Sequence, residues 1–174
     1  STSGLGNDWY NWHLIFDNQE PQADIYPYFT NNKIIVIKSC IPSSHMIGYG
    51  SADDTTGANV NAKTVYNYKW HWRSIVKIME SYPDNFFVIW TGAPACSANT
   101  TSTAARLSHE FNTWAKDTLA AGLDPTYGAF PPNVYVFDFF HRLVDGNYFL
   151  SPLYRASETD DHPNAAAADL IAPL

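Results

Sequence analysis

The sequence has no apolar run approaching the ~20 residues that a membrane-spanning helix needs. Its longest uninterrupted apolar stretches, Ile34–Ile37 and Phe86–Trp90, have the length of strands. It has no basic cluster either. The formal net charge is −7, and an acidic chain without a basic patch is unsuited to phosphate backbones, so nucleic acid is excluded as the expected partner. Charged residues are few, 16% against 45% hydrophobic, which excludes a disordered polar chain and implies a packed core. Repeats, linkers and low-complexity tracts are lacking, and 174 residues suffice for one domain spanning 1–174. The six histidines (13, 45, 71, 109, 141 and 162) include no pair with ligand spacing on one helix face, so neither a metal nor a cofactor is expected. Cysteine is limited to Cys40 and Cys96. Each follows an expected strand by a short loop, which leaves two readings open: a disulfide at one sheet edge, or two free buried thiols. No signal peptide is visible, and a mature chain would lack one. Asn99-Thr100-Thr101 has the form of a glycosylation sequon, from which an extracellular or secreted chain is expected.

What is abundant is aromatic: 16% of residues, with 6 Trp and 11 Tyr. Such a content serves either a large aromatic core or stacking surfaces for sugars and other flat ligands. Trp9, Tyr10 and Trp12 are crowded together, and they are the better candidates for the second role.

Lys33 to Lys38 is a continuous β-branched run without polar alternation, which reads as a strand buried on both faces. Ala62 to Ser81 reads as a helix, because Val65, Tyr68, Trp72, Ile75, Val76 and Met79 recur at three- and four-residue steps. Phe86 to Thr91 reads as a second buried strand. A second helix is expected with Thr103 as its cap, Leu107, Phe111 and Trp114 on one face, and Gly122 as its stop. Val134 to Phe139 reads as a third strand, and a last helix near Pro163 or Asn164 carries Ala165 to Ile171. Strands alternating with amphipathic helices predict an α/β fold, a parallel sheet covered on both faces. Ligands then sit at the C-terminal strand ends, beside the loops after Ile37, Thr91 and Phe139.

Three segments carry candidate chemistry. His162, flanked by acids in Thr159-Asp160-Asp161-His162-Pro163-Asn164, suits a base whose tautomer a carboxylate fixes. Ser1-Thr2-Ser3-Gly4 can present a hydroxyl beside backbone N–H groups. Lys38 to Ser44 places hydroxyls and amides at the active edge of the sheet. Taken alone, each has a plainer reading: an acidic turn, a flexible terminus, a strand-to-loop turn.

The order of three segments resembles a branch of the SGNH (GDSL-like) hydrolases: NNKIIVIKSCIPSS from Asn32 to Ser44, YPDNFFVIWTGAP from Tyr82 to Pro94 followed by ARLSHEFNTW, and VYVFDFF leading to the terminal DDHPNAAAADLIAPL. The likeness spans roughly residues 30–174. It implies a three-layer, flavodoxin-like fold around a central parallel sheet. It also implies a serine ester hydrolase acting on small acyl esters, possibly acetyl groups on carbohydrate, with a Ser-His-Asp mechanism and no cofactor. Ser1-Thr2-Ser3-Gly4 with Asn7-Asp8-Trp9 looks like the family's nucleophile block with its front missing. The resemblance therefore makes Ser1 the nucleophile, with Ser3 as the fallback, His162 the base and Asp160 its acid. The position three before His162, where the family usually has its acid, is Thr159. The family's Gly and Gly-x-Asn-Asp blocks are not recognisable, so backbone N–H groups of Ser1 and of the Lys38-Ser39-Cys40 turn, with Asn7, are the expected oxyanion donors and Trp9 a sugar-facing wall. The family's first, central strand has no counterpart before Ser1, which predicts that the sequence is incomplete at its start, and the abrupt end of the last helix at Leu174 extends that expectation to the C-terminus. The alternative is a non-catalytic binding or structural module that retains the fold. A third reading, an N-terminal-nucleophile hydrolase with Ser1 as its literal first residue, conflicts with the parallel-sheet pattern.

Overall fold

The computed structural model describes residues 7–19 and 23–173. Three strands form one parallel sheet in the order β1 (Ile34–Ile37), β2 (Phe86–Trp90), β3 (Val134–Phe137). The register pairs Ile35 with Phe87 and Phe87 with Val134. Two short helices, α1 (Asp8–Phe16) and α2 (Tyr26–Asn31), precede β1. The crossovers carry α3 (Val65–Glu80) between β1 and β2, and α4 (Ser102–Trp114) between β2 and β3. The chain ends with α5 (Phe140–Leu143) and α6 (Ala165–Ile171).

Local chemistry explains the helix ends. Thr64 Oγ1 accepts the Asn67 N–H and starts α3. Thr101, not Thr103, caps α4 by accepting the Ala104 N–H at 3.1 Å. A Thr at either place could do so by composition, but only Thr101 sits just outside the first turn with extended backbone. Past Trp114 the helix loosens into a π-helical turn, Ala115–Leu119. Gly122 then reverses the chain at φ +69°, a conformation that costs glycine nothing.

The expected apolar stripe of α3 is its buried face: Tyr68, Trp72, Ile75, Val76 and Met79 are all sealed. They meet Trp9 and Phe16 of α1, Phe29 of α2, Phe87 and Ile89 of β2, Leu107 and Phe111 of α4, and Val134 and Val136 of β3 in one main cluster. Cys96, Leu143, Leu150 and Ala167 form a small separate cluster under α6.

The other face of the sheet corrects two expectations. Ile34 is 65% exposed, Val36 55% and Tyr135 53%. β1 is therefore not buried on both faces, and among the described residues the sheet is covered on one face, giving two layers rather than three. Strand alternation is the cause: with period two, the residues between those under α3 must point away from it, and no described helix lies over them. The possible Cys40–Cys96 disulfide is also absent, since both thiols are free. Cys96 is sealed in the cluster under α6, whereas Cys40 is exposed at the end of β1. No described helix is long and apolar enough to cross a membrane.

Candidate functional site

The loops leaving the three strands are tied together by polar contacts. After β1, Ser44 Oγ donates to the Ala93 carbonyl in the loop after β2. After β2, Thr91 Oγ1 accepts the N–H groups of Phe139 and Phe140 at 2.9 Å each, which joins that loop to the end of β3. Asn112 of α4 accepts the Gly92 N–H at 2.8 Å. The His162 segment rests on the same loop. Asp161 accepts from the Cys96 N–H at 2.7 Å and from Asn99 Nδ2 at 2.8 Å. Burial works against ionising Asp161, but these bonds outweigh it and hold its carboxyl below the usual range.

Asp161 is thus spent on anchoring. Asp160 faces His162 instead, with Oδ1 2.9 Å from the imidazole Nδ1 and 2.9 Å from the His162 N–H. The bonds from His162, the backbone one first, lower the Asp160 pKa. The neutral ring then carries its proton on Nδ1 and leaves Nε2 as an acceptor, and the His162 side chain is 80% exposed. Asn164, which completes the His-Pro-Asn ending, is structural. Its Oδ1 caps α6 through the Ala167 N–H, and its Nδ2 holds the carbonyls of Leu153 and Arg155.

The remaining expected residues are distributed as follows. Ser1 and Ser3 lie outside the described residues. Ser39 is 6% exposed, and its Oγ has no described partner. The Cys40 N–H donates to Asp8 Oδ2 at 2.5 Å, so this amide is occupied. Asn7 is 1% exposed and caps α1, accepting from the Trp9 and Tyr10 N–H groups. Trp9 is equally buried, edge-on to Trp72 with ring centroids 4.9 Å apart, and presents no wall to a sugar. Of the crowded aromatics, Tyr10 and Trp12 reach the surface. Trp12 donates from Nε1 to the Lys38 carbonyl and lines a trough of about 610 Å³ along β1.

The chain matches no family model, no curated protein and no solved structure. The geometry therefore carries the functional argument.

Two groups at the strand ends were not singled out in the sequence. His45 follows the β1 loop; burial lowers its pKa against the opposing pull of Asp161, and Lys63 adds to the lowering. The second group is a relay at the end of β3. His141 Nδ1 lies 2.7 Å from Asp138 Oδ1, and its Nε2 lies 3.1 Å from Thr113 Oγ1 of α4. Beside it His109 stacks on Tyr148, with centroids 4.0 Å apart, and Tyr148 holds a left-handed φ of +68°. The spacing Asp138-x-x-His141 directly after a strand was the legible signal. Among the described residues, no group of His, Cys, Asp and Glu is arranged to hold a metal ion.

Proposed function

We propose that the protein is a serine ester hydrolase of SGNH type, secreted and acting on small acyl esters, possibly on carbohydrate. The observation that carries the reading is the Asp160–His162 pair. It stands on a segment anchored to the loop that leaves the C-terminal end of β2, with Nε2 of His162 unpaired among the described residues. In this reading Ser1 attacks the carbonyl, His162 takes and returns the proton, and Asp160 orients the ring and stabilises the imidazolium. The parallel sheet supports the reading. So does the outer edge of β1, which pairs with no strand among the described residues and has room for one beside it.

One observation favours the alternative, a non-catalytic module with this fold. Cys40 N–H is taken by Asp8, and Asn7 is buried with its Nδ2 donating to the Ala62 carbonyl at 3.4 Å, so two of the expected oxyanion donors are engaged. A fluorophosphonate probe separates the two readings. Labelling that is lost in Ser1→Ala, or in Ser3→Ala, and slowed in His162→Ala is the expected result. Labelling that persists in both serine variants overturns the assignment of the nucleophile, and its absence from the native chain overturns the hydrolase.

The sequon bears on secretion in an unexpected way. Asn99 Nδ2 donates to the Thr159 carbonyl at 2.9 Å and to Asp161 at 2.8 Å. A glycan on this nitrogen would replace a hydrogen used to hold the His162 segment.

A further inference from the structure

On the helical side of the molecule, away from the strand ends, α1 and α3 bring three groups into line. His71 of α3 is fully buried, and its Nε2 lies 2.9 Å from the Val60 carbonyl. A carbonyl only accepts, so Nε2 carries the proton and Nδ1 of His71 is bare. That bare nitrogen lies 3.0 Å from Nδ1 of His13, which must therefore donate to it. The proton of His13 is thus fixed on Nδ1, and its Nε2 is left as an acceptor. Nε2 has no partner among the described residues. A chain of two histidines and one carbonyl has set the tautomer of a half-buried imidazole, as outer partners do for functional histidines.

That imidazole stands where two hollows adjoin. One has a volume of about 470 Å³ and the other about 630 Å³. His13, Asp17, Trp70 and Ser74 line both. Trp70 is half-buried, with the His13 ring edge-on to it at a centroid distance of 5.0 Å. Tyr10 adds a second aromatic ring to the smaller hollow. The polar lining mixes acceptors with donors, the latter being Arg73, Lys77 and the Gln19 amide. Asp17 accepts from Gln19 Nε2 on Oδ2 and offers Oδ1, and the hydroxyls of Ser74, Thr55 and Thr56 donate to the carbonyls of Trp70, Ala52 and Asp53, which leaves their oxygens to accept. Burial lowers the pKa of His13 against the pull of Asp17, which favours the neutral, accepting ring.

Aromatic rings beside acceptors and donors match a ligand with an apolar face and a rim of hydroxyls. That is the chemistry of a pyranose ring, whose axial C–H bonds pack on an aromatic face and whose hydroxyls donate outward. We propose that the cleft around Trp70 and His13 binds a sugar unit of a glycan chain, the ring lying on Trp70 and its hydroxyls donating to His13 Nε2 and Asp17. The adjoining hollows accommodate neighbouring units of the same chain. This site is separate from the Asp160–His162 pair and holds whether or not that pair is catalytic.

The test titrates the full chain with cellohexaose and, in parallel, with the hexamer of glucosamine, read by calorimetry and tryptophan fluorescence. Saturable binding of at least one is expected, and preference for the glucosamine hexamer would show that Asp17 pairs with an amine rather than a hydroxyl. Trp70→Ala should weaken the affinity about tenfold or more, and His13→Phe, which keeps a ring against Trp70 but removes the nitrogen, by a similar factor. Trp70→Phe should recover part of the loss, which separates stacking from misfolding. Hydrolysis of p-nitrophenyl acetate, if the native chain shows it, should be unchanged in all three variants, so a failed esterase and a failed sugar site are told apart. Absence of saturable binding by both hexamers overturns the proposal, and so does native affinity in Trp70→Ala and His13→Phe.

Discussion

Between α1 and α3, His71 is held neutral by burial, and its pKa is pushed down to about 4. The unfolded chain takes up this proton near pH 6.5. Between those values the unfolded state binds more protons than the folded one, so stability falls as the pH drops from about 6.5 to about 4 and is then flat. The displacement corresponds to roughly 3 kcal/mol. Urea midpoints between pH 7 and 4 should show this slope in the native chain and a shallower one in His71→Gln, whose side chain does not titrate. Asp124 acts in the next window down. Burial disfavours its charge, but Arg73, Trp114 Nε1 and the Tyr127 N–H outweigh that and lower its pKa to about 2. Its contribution is complete above pH 3.8 and is lost as the pH falls through about 2, a difference of roughly 2 kcal/mol. Asp124→Asn should remove that acid transition and lower the thermal midpoint at pH 7, because Arg73 then loses its carboxylate. Neither role was legible in the sequence. Only the fold brings the Val60 carbonyl to His71, and Arg73 and Trp114 to Asp124.

At the scale of elements, the Asn164 side chain joins a helix to the turn before it. It starts α6 and ties two carbonyls of the preceding turn, and His162 lies two residues before it. Asn164→Ala should cost about 1 kcal/mol for the cap alone, with more for the two orphaned carbonyls. Hydrogen exchange should accelerate across α6 and residues 153–163 while α3, capped independently by Thr64, stays protected. Equal protection in both variant and native chain would show that the cap is dispensable. The helices and strands were readable because periodicity is a local property: α3 shows its stripe through Tyr68, Trp72 and Ile75, and the strands show continuous apolar runs. The cap of α4 was misplaced by two residues because Thr101 and Thr103 differ only in backbone conformation. The acids before His162 were separable by resemblance, yet the anchoring role of Asp161 depends on Cys96 and Asn99, more than sixty residues away.

For the whole molecule, the sheet is lopsided. One face is sealed by α1, α3 and α4, while the other shows Ile34, Val36, Phe86 and Tyr135. The sequence could not disclose this. A β-branched run such as Ile34–Ile37 has apolar side chains on both faces, and only the placement of the helices decides which are covered. The native chain should bind 8-anilinonaphthalene sulfonate with enhanced fluorescence, and the pair Ile34→Thr with Val36→Thr should diminish the signal without lowering the thermal midpoint. Undiminished fluorescence would mean that the dye finds another surface. The two thiols have a consequence of a different kind. Because Cys96 is sealed beneath α6 and Cys40 stands open where β1 meets its loop, the folded chain offers an alkylating reagent one sulfur and the unfolded chain two. A fluorophore attached at Cys40 would sit in a smaller hollow that shares Trp12, Ile15 and Val36 with the trough along β1. From there it could report, by energy transfer, whatever comes to lie along the open edge of the sheet.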